Sequence, residues 1–228
     1  MTERTTITIA RQMGSGGAYV GQRIAKHFQL RYVDREVLRL AAESLGVDEA
    51  AVEANRERLT SIWERIFSPL KLFPPDGPYT PPPARTFTDE ELFRRQVAAL
   101  KLIAAREDCV ILGYGAAHVL PAHRRMVNLY FHAPIRFRLR RVMQLYQLTD
   151  IADAGRMIRE SDEMRRRYFT QMTGKDWSCA DNYHLCINTS LFPLEELAER
   201  LILFIERKLK ADEAAANKAA NAVGEKHS

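Results

Sequence analysis

A β-branched run, Thr5-Thr-Ile-Thr-Ile-Ala10, meets a glycine-rich turn, Gly14-Ser-Gly-Gly17, and then a stretch in which Val20, Ile24, Ala25 and Phe28 recur at helical spacing. Together they read as strand, turn and helix, and no other feature constrains the fold as much. Glycines let main-chain N–H groups point inward without a Cβ clash, and a helix start adds the positive end of its dipole. The junction is therefore suited to an anion, above all a phosphate. A tight strand-to-helix turn with no ligand gives the same local pattern.

The alternation continues along the chain. Tyr32-Val33 reads as a short second strand ending at Asp34, followed by helices expected from Glu36 to Ser44 and from an N-cap at Asp48 to about Phe67. Pro69 to Pro83 holds seven of the ten prolines, which excludes helix and central strand and predicts a long irregular insertion. Thr88-Asp-Glu-Glu91 starts a helix running to about Glu107. Cys109–Leu112 is an apolar third strand ending in Gly113-Tyr-Gly115; Met126–Phe131 is the fourth, and Pro134 opens the next helix. The stretch from Asp150 to Gln171 is helical and rich in arginine, broken by Thr173-Gly-Lys-Asp-Trp177. Tyr183–Ile187 is the fifth strand, ending at Asn188-Thr-Ser190, and a helix from Pro193 to about Leu209 closes the fold. Residues 211–228 have no apolar face and predict a frayed helix or disordered tail.

Apolar strands alternating with helices argue a mostly parallel sheet with helices on both faces. Ligands in such folds bind at the carboxyl ends of the strands, where Gly14–Gly17, Asp34-Arg35, Gly113–Gly115 and Asn188–Ser190 fall. The 228 residues suffice for one core, and the formal charge of +5 favours an anionic partner without choosing its kind. Cys109, Cys179 and Cys186 form no even framework and no metal-spaced pair; Cys109 and Cys186 lie in apolar runs and read as buried thiols. No apolar run approaches the roughly 18 residues of a membrane helix, and the polar N-terminus lacks the look of a signal peptide. A cytoplasmic location is expected. His118, His123, His132 and His184 have no nucleophile or metal partner in the sequence and read as structural.

Two motif readings of the glycine loop stand. The dinucleotide fingerprint G-x-G-x-x-G begins at Gly14 and Gly16, finds Tyr19 at its third glycine, and has Asp34 at the end of the second strand. The Walker form G-x-x-x-x-G-K-[ST] places Gly17 at its lysine, with Tyr19 two residues later where a magnesium-binding hydroxyl would be. Neither is complete.

Five segments in order carry a wider resemblance: Ile7-Thr-Ile-Ala-Arg-Gln-Met-Gly-Ser-Gly-Gly17, Tyr32-Val-Asp-Arg35, Ile111-Leu-Gly-Tyr-Gly-Ala116, Thr173-Gly-Lys-Asp-Trp177 and Asn182-Tyr-His-Leu-Cys-Ile-Asn-Thr-Ser190. Over roughly residues 5 to 207 the chain resembles the cytidylate kinase-like family, P-loop proteins related to nucleoside monophosphate kinases. The resemblance implies a three-layer P-loop NTPase-type α/β fold with a five-stranded parallel sheet, helices on both faces and an arginine-rich helical lid. Within a domain spanning 1–210, the acceptor region and proline-rich insertion would cover about 34–88 and the lid about 150–180. The implied activity is transfer of the ATP γ-phosphoryl group, with Mg2+, to a nucleoside monophosphate, CMP or dCMP being the nominal acceptor. DNA, RNA and membrane partners are not expected. A protein partner at the proline-rich insertion, or a second copy of the chain, fits.

Residue roles follow from the same placement. Gly14, Ser15, Gly16, Gly17, Ala18 and Tyr19 would cradle the nucleotide, with Asn188 and Thr189 beside it. Ser15 can reach a phosphate or magnesium, or simply stabilise the turn. Arg11 can supply the charge of the missing lysine, or be a surface arginine after a strand. Arg159 and Arg166 share a helix face with Arg156 and can clamp phosphates, and Asp162 resembles the lid aspartate of the related kinases; a solvated face with Glu160, Asp162 and Glu163 as salt partners is the plainer reading. Asp34, Arg35, Arg39, Gly113 and Tyr114 fall on the acceptor side. Tyr114 departs from the arginine usual there; it can stack on a base but cannot neutralise phosphate. Trp177 reads as packing at the lid hinge. The departures at Gly17, Tyr19 and Tyr114 also fit a nucleotide-binding regulatory or interaction protein without catalysis, and a Rossmann-type dehydrogenase is a third reading that Tyr19 disfavours.

Overall fold

A computed structural model describes residues 4–34 and 89–224. The helices expected over 36–67, the proline-rich insertion, Arg35 and Arg39 lie outside the described residues. Five strands, β1 (Thr6–Arg11), β2 (Arg31–Val33), β3 (Cys109–Leu112), β4 (Met126–His132) and β5 (Leu185–Asn188), form one sheet in the order β2-β3-β1-β4-β5. Every pairing is parallel, so each successive pair needs a crossover, and the described crossovers carry helices. These are α1 (Gly17–Phe28), α2 (Asp89–Arg106), α3 (Ala116–Val119), α4 (Ile135–Tyr146), α5 (Ile151–Thr173) and α6 (Leu194–Gly224).

The period-two alternation of the strands sorts the core into two layers. Ile7 and Ile9 of β1, Val110 and Leu112 of β3 and Val127, Leu129 and Phe131 of β4 face α1 and α6, meeting Val20, Ile24, Leu197, Leu201 and Ile205. Cys109, Ile111 and Met126 turn the other way, toward Leu100 and Ile103 of α2 and Ala116 of α3. Ile7, Ile9, Leu129 and Phe131 are essentially inaccessible, and burial at that level contributes about 1.5–3 kcal/mol for each such side chain. The second face also carries polar residues: Thr8 Oγ1 donates to Asn128 Oδ1 at 2.7 Å, a satisfied pair across adjacent strands. Burial pushes the Cys109 thiol up to about 12.

Several expectations shift at their edges. α6 runs unbroken to Gly224, well past the Leu209 at which the sequence placed its end, because its apolar stripe closes at Leu209 while the alanine-rich continuation keeps helix propensity. Two contacts brace that stretch: Arg125 pairs with Glu213, and Lys208 Nζ lies 2.6 Å from Asp212. The short helix α3, of four residues, gave no periodic signal in the sequence. Cys186 is half-buried, not buried, since β5 is an edge strand.

Candidate functional site

The loop between β1 and α1 crosses the carboxyl edge of the sheet at its central strand. Gly14 and Gly16 sit at φ 76° and 83°, a region open to glycine and strained for other residues. Space makes the same demand. A Cβ at Gly14 would lie 3.0 Å from the Arg138 carbonyl oxygen, and one at Gly16 would lie 2.6 Å from Leu194 of α6. Gly16 is the N-cap of α1 without a side-chain cap, so the helix start offers its first N–H groups to the loop. Among the described residues the N–H groups of Gly14, Gly16 and Gly17 take no protein acceptor. The rest of the loop is tied down: Gln12 N–H donates to Phe131 O at 3.0 Å, and Gln12 Oε1 accepts from Ala133 N–H at 3.2 Å. Anchored flanks and glycine amides without an acceptor are the elements from which main-chain anion sites are built.

Asp162 of α5 fixes this loop from the side. Its Oδ1 accepts the Met13 N–H at 2.9 Å, its Oδ2 pairs with Arg138 Nη1 of α4, and Arg165 Nη1 lies 3.4 Å from Oδ1. Arg138 and Arg165 side chains are each 11% exposed, which makes this a sheltered charge cluster. Arg138 Nη1 also reaches the Met13 carbonyl at 3.5 Å. The Met13 side chain completes the anchor, packing among Val142, Ala154 and Ile158. Thus the helical hairpin α4–α5 grips the loop at Met13 by one apolar and two polar contacts.

Arg11 occupies the space that a larger residue 17 would need. A Cβ on Gly17 would come within 2.9 Å of Arg11 Cβ and 3.3 Å of Phe131. The Arg11 stem therefore accounts for glycine where the Walker pattern has lysine. Its guanidinium extends across the strand ends, and Nη1 lies where a Cβ of Gly113 would be. Gly113, Tyr114 and Gly115 all have positive φ, at 86°, 56° and 65°. For a tyrosine this conformation costs roughly 1–2 kcal/mol, the kind of strain that concentrates at functional sites.

The exit from β3 is also held by α5. A Cβ on Gly115 would lie 2.7 Å from the Phe169 ring. His118 of α3 packs edge-on against Phe169 at 4.3 Å and Tyr183 at 5.6 Å, and both its ring nitrogens are buried without a hydrogen-bond partner among the described residues. Burial, with Lys175 nearby, lowers its pKa to about 4. Tyr130 stacks with Tyr183 and meets Trp177 edge-on, and burial raises both phenols above their ordinary range.

The expected site residues divide accordingly. Arg11, the Gly14–Ala18 turn, Asp162 and Gly113 converge at the carboxyl ends of β1 and β3. Asp34 closes β2, farther along the same edge. Other residues are committed elsewhere. Ser15 is fully buried, and its hydroxyl donates to Gln12 O at 2.8 Å, closing the turn. Tyr19 turns its phenol to Glu195 at 2.9 Å, away from the cradle, and that carboxylate raises its pKa. The Asn188 side chain caps its own turn through Ser190, and the buried Thr189 hydroxyl donates to His132 O at 3.2 Å. Arg159 is exposed, and Arg166 pairs on the outer face of α5 with Glu163 at 2.7 Å. Arg138 escaped the sequence reading because it is one of four arginines in a helix with no glycine or motif to single it out. Arg165 was one of several arginines, and only the helical phase set by Asp162 distinguishes it.

With this geometry in place, comparison is informative. The cytidylate kinase-like family model matches residues 6–191, so the chain belongs to that family. No curated protein matches it. Among solved structures, an uncharacterized protein from Eubacterium ventriosum superposes with a TM-score of 0.62 at 20% identity, covering 89% of this chain and 99% of that one. A gluconokinase from Sinorhizobium meliloti gives 0.50 at 12% identity, covering 92% and 97%. At these identities the likeness is one of fold, a P-loop kinase fold. No helix among the described residues is long and apolar enough to cross a membrane.

Proposed function

We propose that the chain transfers the γ-phosphoryl group of ATP to a nucleoside monophosphate. The observation that carries this reading is the glycine turn at the β1–α1 junction, with three N–H groups that take no acceptor among the described residues, the Arg11 stem against Gly17, and Arg138 and Arg165 on the Asp162 that holds the Met13 amide. Phosphoryl transfer asks for alignment and charge neutralisation more than covalent help. The nest would hold the donor phosphates through main-chain amides. Arg11, running from the nest to Gly113, would lie between donor and acceptor and stabilise charge on the group in transit. Asp162 would act as a positioning residue: it orients Arg138 and Arg165 and holds the Met13 amide, so that motion of α5 is felt in the cradle. In the same reading α5 forms the lid, with Arg159 and Arg166 on its outer face as further clamps.

The acceptor would lie over the ends of β2 and β3, against Asp34 and Tyr114, with Arg35 and Arg39 as candidate phosphate ligands. A tyrosine in place of the usual arginine leaves the acceptor side with a stacking surface, which favours contacts to a base. The test is coupled phosphoryl transfer from ATP across a panel of nucleoside monophosphates, with Arg11→Ala as control. Turnover with at least one acceptor, sharply reduced in Arg11→Ala at unchanged melting temperature, is expected. Well-folded protein that turns over none of them would end the enzyme reading; ATP binding without turnover would leave a nucleotide-binding regulatory protein.

A further inference from the structure

We infer that the loop neutralises its bound triphosphate with arginine and supplies no protein ligand for a divalent cation, so that ATP affinity is nearly independent of magnesium. The inference rests on the nucleotide-binding reading of this site. A hard cation beside a phosphate takes oxygen ligands, either a protein hydroxyl or carboxylate directly, or waters that a carboxylate orients. Among the described residues, the donor set at the loop does not provide them.

Three loop positions are close enough to offer a hydroxyl. Ser15 is buried with its hydroxyl spent on Gln12 O at 2.8 Å. Ala18 has no hydroxyl, and the Tyr19 phenol donates to Glu195 at 2.9 Å. Carboxylates fare no better. The strands flanking β1 in the sheet, β3 and β4, end in Leu112-Gly113 and His132-Ala133, none of them acidic. Asp34 ends β2, two strands from β1 and so roughly 10 Å to the side. Asp162 does touch the loop, but it already accepts from Met13 N–H, Arg138 and Arg165, and a dication there would stand against two guanidiniums. The described residues contain no group of three or more His, Cys, Asp or Glu fit to hold a metal.

The positive charge is present in another form. Arg11 lies against Gly17, and Arg138 and Arg165 lie around Asp162 at the other side of the loop. Arg11, Arg138 and Arg165 thus bring three cations to the two sides of the loop. Arg138 Nε is buried with no acceptor among the described residues. An Arg guanidinium offers five N–H groups, so those holding Asp162 keep donors for phosphate oxygens.

The experiment is calorimetric titration of the full chain with ATP, once in EDTA and once in excess magnesium chloride. Dissociation constants agreeing within about threefold are expected, whereas a loss of more than about tenfold in EDTA, about 1.4 kcal/mol, would overturn the inference while leaving nucleotide binding intact. Absence of binding in both buffers would sink the inference together with the nucleotide reading. Arg11→Met, which keeps the apolar stem, is the second measurement, and about tenfold weaker ATP binding in EDTA at an unchanged melting temperature is expected. ATP affinity equal to that of the parent chain in EDTA would show that Arg11 is not part of the replacement charge, and would overturn it on that count.

Discussion

Asp162 and Glu163 are neighbours on α5, and each holds two arginines, yet they do different things. Glu163 binds Arg166 and Arg167 on the outer face, three and four residues away on its own helix. Those arginines are 54% and 73% exposed, and their hydrogen bonds hold the Glu163 carboxyl down at about 2. Asp162 points inward, binds one arginine from its own helix and one from α4, and caps an amide of the phosphate loop. Salt screens the first cluster, whose partners meet by helical periodicity alone. The second is sheltered and long-range, so it couples a helix to the cradle. Equal charge counts thus carry unequal structural weight, and the difference lies in where the partners come from.

The comparison breaks most visibly at Asp162. Asp162→Asn keeps the shape but removes the carboxylate charge that two sheltered guanidiniums share, for a loss of about 3 kcal/mol in denaturant unfolding. ATP affinity should fall with it, because the Met13 amide loses its charged acceptor. An Asp162→Asn protein as stable as its parent would place this cluster with the surface pairs. Next in size is Met13→Ala. The side chain is buried between α4 and α5, and its truncation should cost about 2–3 kcal/mol. Here the charges remain, so a loss of ATP affinity would show that the apolar contact also shapes the nest.

A third test uses pH and the far end of α5, where Phe169 rests on Gly115 and His118. The fold holds His118 neutral, with a pKa of about 4 against 6.5 for the free side chain. A depressed histidine pKa means that the unfolded chain binds the proton more readily. Its stabilising contribution is therefore complete above pH 6.5 and is lost as pH falls from 6.5 toward 4. His184 acts in the same direction, since burial lowers its pKa and its Nδ1 must accept from Asn128 N–H at 2.8 Å. Melting temperature should drop across that window, and His118→Leu should flatten part of the drop. A slope unchanged in His118→Leu would assign it to His184 or to the carboxylates.

Much of this was legible in the residues. β3 was bounded correctly because Cys109–Leu112 is a short apolar run closed by glycine, and the β1–turn–α1 unit was plain because β-branched, glycine and helical-period segments follow one another without ambiguity. The site was legible only where motif and geometry coincide. Gly14, Gly16 and Arg11 lie within one short segment. Arg138 reaches Met13, 125 positions away, which spacing along the chain cannot show, whereas Arg165 meets Asp162 on its own helix and is set apart only by the inward direction of that carboxylate. Ser15 and Tyr19 show the converse: residue type fits the chemistry, while each hydroxyl has a partner that the chain spacing does not announce, one in its own turn and one on α6.

The smallest effect separates the two faces of α5 most cleanly. Arg165 and Arg166 are adjacent and chemically identical, and the sequence singled out the second. Arg165 lies beside Asp162 with its side chain 11% exposed, whereas Arg166 lies on Glu163 at the surface. Arg166→Ala should leave the melting temperature unchanged, as exposed helix pairs contribute little. It should also lower turnover less than Arg165→Ala, because a phosphate in the nest is reached from the inward face. Glu163→Gln is the control: it frees Arg166 without removing it and should change neither quantity. If Arg166→Ala instead lost more turnover than Arg165→Ala at full stability, the outer face would have to swing inward over bound nucleotide. α5 would then be a moving lid whose inward and outward faces exchange roles on closure.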